Sequence, residues 1–508
     1  MRTIISFSAM LFFLVNLLVA YELPDATSRT LVFSDQLNET PGSANFTFNA
    51  THFIGTQKID KERITAYKAI NPKFIVVQYH KSFGVDLQQN ITSATPPYWN
   101  NDCDTLYSWI KNHPSYGSKE SYYQHYSSTA DSSHRIKHYW NNVNEYYLAD
   151  LRHAGWRQYV AETNVWRCEK IGFDGTFFDA SYFPSWSYEP ELWFDSVSYN
   201  TGVITNFAQP WNQTFAVPYW SFVRNYFHSA GRDYLCIVNC DQMVTGWYND
   251  TYLDSVDGAM AEGFFTYGGK LTGSDWSLSA GRILRYLTGD GKNKILIAQC
   301  SPDANNQSVR RWCIANYLLL KNKYSYYNIV TTSNSTWWPE YEIALDSFVT
   351  QPSTLSDLLV QGTSSLYKRE YRSGLVLVNS GTNAQNYTLT QKYNPVTFSG
   401  GGAVTSGVLP QMAVTYGAAV NGLITVAPGE VMILRKEGAT VIAKPKRQSM
   451  DNHSLQPRSI YTLSGKLAGF SADGRSTGFS PDKKLSYGVY LQHLNNDQYR
   501  DHFTFVDK

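Results

Sequence analysis

Two segments of this chain repeat one pattern of acids. Residues 174–179 read D-G-T-F-F-D and residues 257–262 read D-G-A-M-A-E, so both are D-G-x-x-x-(D/E). An Asp-Gly pair suits a turn entering a strand. Five residues later, at about 3.3 Å per residue, the chain has crossed the wall of a sheet. Alternation places Asp179 on the face of Phe177 and Gly175, and Glu262 on the face of Met260 and Gly258. A carboxylate closing an apolar strand is costly to leave unpaired. Two such groups across a shared opening have a chemical use: one ionised, as nucleophile or base, the other protonated, as acid, they can cleave a glycosidic bond. The protonated partner needs a raised pKa, which poor hydration and a neighbouring negative charge both promote. Either acid alone would read as an ion-pair partner or a helix cap. The matched repeat makes Asp179 the expected nucleophile or base and Glu262 the expected acid, with Asp174 and Asp257 as turn formers.

The elements that must position this pair follow from the hydrophobic pattern. Residues 29–35, 73–78, 146–150, 173–179, 234–239, 256–262, 294–299 and 324–330 are short apolar runs. Helical periodicity lies between them at 61–70, 156–171, 219–230, 278–288 and 309–321. Continuous apolar strands separated by helices indicate a parallel sheet covered on both faces. Over some 300 residues this predicts an α/β fold, a (β/α)₈ TIM barrel, with Asp179 ending its fourth strand and Glu262 its sixth. Past about residue 367, short Thr-, Val- and Gly-rich runs without helical period predict a small antiparallel β-sandwich. The expected organisation is a signal peptide at 1–20, the barrel at 21–350, the β-sandwich at 351–437 and a poorly ordered tail at 438–508.

Other residues at the carboxyl ends of these strands are candidates for binding substrate: Asp35, Tyr79, His80, Asp150, Asn239, Asp241 and Gln299. Asp150 precedes Arg152 and Arg157, so an arginine pair is an equal reading for it. His80 could hydrogen-bond sugar hydroxyls, although a lone histidine is more often structural. Trp337 and Trp338, after the last strand, are the favoured stacking platforms, ahead of Trp220 and Trp247. Aromatics make up 15% of the chain, with 37 Tyr and 14 Trp, side chains whose flat apolar faces and polar tips suit sugars.

With those residues assembled, the chain resembles the hypothetical glycosyl-hydrolase-like family 15, of the TIM-barrel glycosidase group. The resemblance rests on F-I-G-T-Q-K (53–58), A-I-N-P-K-F (69–74), the Ala149-Asp150…Trp156-Arg157-Gln158-Tyr159 segment, G-F-D-G-T-F-F-D (172–179), V-D-G-A-M-A-E-G-F (256–264) and W-P-E-Y (338–341). It spans about residues 30–436. It implies a barrel and acid catalysis by carboxylates at the strand ends, without naming a sugar. An Asp on strand four with an acid on strand six also resembles barrel glycosidases that retain configuration.

The remaining signals concern compartment and exclusions. One early Arg2 followed by the apolar run 11–20 predicts a signal peptide and a secreted protein. Ten Asn-X-Ser/Thr sequons, from Asn38 to Asn452, predict a glycosylated surface. Six cysteines in an oxidising compartment allow 15 pairings, among which Cys300 with Cys313 is one candidate. Net charge is +1, which gives no reason to expect nucleic acid or a stable membrane association. No cofactor or metal is expected, since no Gly-rich phosphate loop follows the first strand and no Cys/His cluster has zinc spacing. Two other functions remain open: a carbohydrate-binding pseudoenzyme on the same barrel, and a secreted structural glycoprotein without a site.

Overall fold

The computed structural model describes residues 22–86, 103–125, 131–140, 143–181, 188–189, 196–199, 202–205, 211–240, 251–266, 269–289, 293–300, 306–330 and 335–439, together with four strands beyond 457. Its eight parallel strands are β1 Phe33–Gln36, β2 Gly55–Gln57, β3 Ile75–Lys81, β4 Gly175–Asp179, β5 Leu235–Asn239, β6 Gly258–Glu262, β7 Ile295–Cys300 and β8 Ser325–Ile329. They are hydrogen-bonded in chain order. Val32 pairs in parallel with Tyr327 and closes the ring. The predicted (β/α)₈ fold is what forms. Helices α1 Ala44–His52, α2 Lys61–Ile70, α3 Cys103–Asn112, α4 Ala154–Ile171, α5 Val217–Phe227, α6 Gly273–Thr288 and α7 Gln307–Leu320 accompany the strands. No helix among the described residues is long and apolar enough to cross a membrane.

The expected strand count was right through two errors that cancel. The run at 146–150 is not a barrel strand. Its apolar residues belong to Val143–Leu148, which pairs antiparallel with Gly84–Asp86 and Lys137–Trp140 in an excursion between β3 and α4. The true second strand is the three-residue Gly-Thr-Gln of β2. Asp179 therefore ends the fourth strand and Glu262 the sixth, as predicted.

Alternation along the strands separates two cores. Phe33, Ile75, Val77, Tyr79, Phe177, Ile237, Met260 and Ile297 fill the barrel interior, while Val76, Phe178, Val238, Ala261 and Ala298 face the helix layer. The D-G repeats have a shared structural role at the opposite end from the acids. Asp174 Oδ2 accepts the Val76 amide of β3 at 2.8 Å, and Asp257 Oδ2 accepts the Cys236 amide of β5 at 2.9 Å. Each Asp thus ties its own strand to the preceding one, which is more than turn formation. The glycines that follow admit the neighbouring strand: a Cβ on Gly175 would lie 2.2 Å from the Leu235 carbonyl oxygen, and one on Gly258 2.8 Å from Ile295 Cβ.

Asp257 also binds Arg224 at 2.6 Å and His228 at 2.8 Å. Burial pushes the Asp257 carboxyl up, but the His228 hydrogen bond, the Arg224 and His228 charges and the Cys236 amide outweigh it and hold it below the usual range. The Asp257 hydrogen bond raises His228, against a smaller effect of burial. A depressed acid contributes stability that is lost as pH falls through its folded pKa. A raised histidine contributes stability that is complete below its unfolded value, about 6.5, and lost as pH rises through its folded pKa. The wild-type unfolding temperature is therefore expected to fall from pH 6 to pH 8 by about 1–3 °C more than that of His228→Gln. Parallel curves in calorimetry would remove His228 from this linkage.

Past the barrel, Leu366–Tyr371, Gly374–Asn379, Gln385–Gly400, Met412–Tyr416, Val420–Val426 and Val431–Lys436 form an antiparallel β-domain. Leu366, Leu375, Leu377, Leu389, Val426 and Leu434 make its own core. Its other face meets α7, where Arg369 donates to the Leu319 and Lys321 carbonyls at 3.1 and 2.6 Å. The chain divides into two compact units after Val441. In the second, expected as a poorly ordered tail, Arg458–Thr462, Leu467–Ser471, Val489–His493 and His502–Phe505 form a four-stranded antiparallel sheet.

Cys300 and Cys313 are disulfide-bonded, with Cα atoms 6.2 Å apart. Cys168 and Cys236 are free and buried, Cys240 is buried, and Cys103 has no described side chain. The proposed signal peptide lies outside the described residues.

Candidate active site

The carboxyl ends of the strands carry a polar ring above the apolar interior. Asp179, Asn239 and Glu262 come from β4, β5 and β6, on the inward parity of each strand. Asn239, between the two acids, is 8% exposed, and its Nδ2 donates to Asp179 Oδ1 at 2.8 Å and Glu262 Oε2 at 2.7 Å. The two bridged oxygens are therefore at most about 5.5 Å apart.

Asp179 is held by more than Asn239. Tyr79 Oη donates to Oδ2 at 2.5 Å, and the amide of Ala180 donates to Oδ1 at 2.9 Å. Ala180 itself has φ 52° and Gly263, directly after Glu262, φ 69°. A left-handed alanine costs roughly 1–2 kcal/mol and persists where its surroundings impose it; here it aims the amide back at the carboxylate.

Glu262 differs. Only Oε2 is held, leaving Oε1 without a hydrogen bond among the described residues. Its side chain is exposed to the open mouth, yet protein crowds it on most sides. That loss of hydration raises its pKa first, and the charges of Asp179 and Asp35 add to the rise, against the Asn239 hydrogen bond and the Lys58 charge. Because the mouth is open, the rise reflects partial rather than complete desolvation.

On the other side of the ring, Asp35 occupies a bulge, for the β1–β2 register shifts between Ser34 and Gln36. The extra residue turns its carboxylate toward β2, where Gln57 Nε2 and Lys58 Nζ both donate to it. Lys58 has φ 60° and its ammonium lies 5.0 Å from the centre of the Tyr79 ring. Gln299, paired in register with Glu262, accepts from Asn328 at 3.2 Å. Among the described residues no group of three or more His, Cys, Asp or Glu is arranged to hold a metal ion.

The structure thus brings together Asp179, Glu262, Asn239, Tyr79 and Asp35 and places Gln299 on the same ring. Four other expectations are corrected. His80 has the parity opposite to Tyr79, is 2% exposed and meets Phe178 edge-on in the helix layer. Asp150 lies in the excursion, buried, with both oxygens engaged by Arg152. Trp337 and Trp338 are core residues. Trp337 donates to Glu342 at 2.7 Å and is edge-packed by Phe48, Phe53 and Tyr341, and Trp338 covers the Arg310 guanidinium. Trp220 is likewise buried. Asp241 and Trp247 lie outside the described residues.

Trp337→Ala is accordingly expected to cost about 3–5 kcal/mol of stability, read in denaturant unfolding, without a specific loss of sugar affinity. A stable variant with weakened sugar binding would return Trp337 to the mouth.

Gln57, Lys58 and Asn328 were not among the residues expected at this site. The signal for the first two was a polar Gln-Lys pair closing a segment too short and too polar to read as a strand.

A closed ring of eight parallel strands with two carboxylates bridged at their carboxyl ends defines a (β/α)₈-barrel protein with an acid-lined mouth. The chain belongs to hypothetical glycosyl hydrolase family 15, whose model matches residues 68–375. The match leaves β1 and β2, with Asp35, Gln57 and Lys58, outside it. No curated protein matches the chain. Among solved structures, it is 9% identical to a cycloisomaltooligosaccharide glucanotransferase from Paenibacillus sp., over 81% of this chain and 55% of that one, with a TM-score of 0.30. It is 11% identical to an alpha-amylase from Geobacillus thermoleovorans, over 80% and 98%, TM-score 0.36, and 8% identical to a GH31 dextranase from Flavobacterium johnsoniae, over 83% and 53%, TM-score 0.42. The chain spans about half the length of the first and third of these.

Proposed function

We propose that this protein is an exported glycoside hydrolase that cleaves O-glycosidic bonds of an extracellular poly- or oligosaccharide, with retention of configuration. Asp179 is the nucleophile and Glu262 the general acid, returning as base in the second step. The observation that carries this reading is the Asn239 side chain donating to both carboxylates. It supports a spacing suited to direct attack by one carboxylate while the other protonates the leaving oxygen. Three donors converge on Asp179, as suits an acceptor-only carboxylate. Glu262, with its raised pKa and one oxygen that no described residue holds, suits proton delivery.

Export and glycosylation are part of the same proposal. Asn306 and Asn386 are exposed, as acceptor sites must be, whereas Asn49 is fully buried against Tyr67 and drops out. The test is a polysaccharide panel with product analysis, with Asp179→Asn as control. Products with the starting anomeric configuration, absent from the control, are expected. Sugar binding without product would favour the pseudoenzyme instead.

A further inference from the structure

The Asp35–Lys58 pair is not used by the two-carboxylate reaction, yet it is built into the same ring. Lys58 follows the last residue of β2 in a left-handed conformation that non-glycine residues rarely adopt. Ile59 behind it is 1% exposed and Asp60 caps α2 by accepting the Arg63 amide. The turn is thus pinned on its far side, and the lysine side chain returns over the mouth instead of continuing into solvent. There Nζ donates to Asp35 Oδ2 at 2.9 Å and Oδ1 at 3.2 Å.

An ammonium has three donors. Two are accounted for by Asp35, and the third has no acceptor among the described residues. Asp35, for its part, accepts among the described residues from Gln57 and Lys58 alone, which leaves lone-pair capacity on its two oxygens. One donor and one acceptor therefore stand side by side. Lys58 is cationic in this setting: burial disfavours its charge, but Asp35, Asp179 and Glu262 together raise its pKa. Lys58 also covers the ring of Tyr79, whose hydroxyl holds Asp179. A group bound at the pair is thereby referenced to the carboxylate expected to attack.

We propose that Lys58 and Asp35 form a sugar-orienting subsite in which the third Lys58 N–H and the Asp35 carboxylate take two neighbouring hydroxyls of a neutral sugar ring. A donor beside an acceptor matches a vicinal diol, in which one hydroxyl accepts and the next donates. An acidic sugar is disfavoured, because its carboxylate would enter a ring already holding Asp35, Asp179 and Glu262 against one lysine. Lys58 is here a positioning and specificity residue and takes no part in bond cleavage. The proposal rests on reading the mouth as the sugar site, so its test does not depend on turnover.

Saturation-transfer NMR on the full chain, with glucose, galactose, mannose and glucuronate and with the monodeoxy forms of the hexoses, supplies that test. The wild type is expected to bind at least one neutral hexose and to lose about 10- to 100-fold when one of two adjacent hydroxyls is removed. Lys58→Met should weaken the parent sugar by a similar factor and become indifferent to one of those deoxygenations. Lys58→Arg should keep the discrimination. Calorimetric unfolding of each variant identifies any general loss of fold, and Asp35→Asn supplies the same comparison if Lys58→Met fails to fold. Unchanged discrimination in the lysine and aspartate variants, preference for glucuronate, or no hexose binding by the wild type would overturn the proposal. If hexoses bind as expected but no glycan in the panel is cleaved, the subsite stands and the hydrolase reading falls.

Discussion

Glu262→Gln is expected to reduce turnover of an unactivated glycan by about 10²–10⁴-fold, the usual contribution of general acid catalysis. The substitution keeps the side chain's size, and the amide oxygen can still accept from Asn239 Nδ2. What disappears is the proton. A substrate with a good leaving group, such as a nitrophenyl glycoside, needs little protonation and should be spared in the first step. The ratio of the two losses therefore identifies an acid rather than a binding residue. Crowding and the Asp179 and Asp35 charges raise the Glu262 pKa, so the protonated form survives to higher pH than in an ordinary glutamate. The alkaline limb of the wild-type profile should follow that raised pKa and vanish in the variant. A raised carboxyl also weakens the folded state once it ionises, so Glu262→Gln should unfold at an equal or higher temperature than wild type at pH 7. Full activity on the unactivated glycan would remove Glu262 from the mechanism.

Asp179→Asn has the larger expected effect, about 10⁴-fold or more, the scale found when a residue essential to the chemistry is removed. An amide cannot form the glycosyl ester, and it brings two N–H groups among the Tyr79, Asn239 and Ala180 donors that now converge on the carboxylate. Activated substrates should not rescue this loss, in contrast to Glu262→Gln. Removing the side chain in Asp179→Ala opens room for a small external nucleophile. Azide should then restore turnover of an activated glycoside and yield a glycosyl azide of inverted configuration, read by proton NMR. Inverted sugar from the wild-type enzyme would recast Asp179 as a base acting through water. Unchanged turnover of Asp179→Asn would end the two-carboxylate reading altogether.

The residues that were legible in advance share one property: their signal was local. β3 to β8, apart from the mistaken run at 146–150, announced themselves as apolar stretches bounded by polar residues. Asp179 and Glu262 stood out because each ended a strand opened by the same Asp-Gly. Asn239 and Gln299 followed from being next on the same kind of strand end. β2 was illegible because three residues, Gly-Thr-Gln, carry no hydrophobic period, and what makes them a strand is hydrogen bonding to β1 and β3 on either side. The excursion strand at Val143–Leu148 misled for the opposite reason, since Tyr146, Tyr147 and Leu148 run on into Ala149 as a short apolar stretch just as a barrel strand does.

Sequence alone determined the barrel, its β-domain and the inward parity of the two acids, since parity follows from counting along a strand whose interior face is apolar. The tertiary structure decided everything that depends on closing the ring. Asn239 reaches both carboxylates only because β4, β5 and β6 lie side by side, and Asp35 meets Lys58 only because a bulge in β1 and a left-handed turn after β2 face each other. His80, Trp337 and Trp338 carried chemically suitable side chains. Parity sent the first toward the helices, and packing of the closing segment against α1 buried Trp337. Residue type tells what a group can do, whereas burial and direction tell whether it meets anything to do it to.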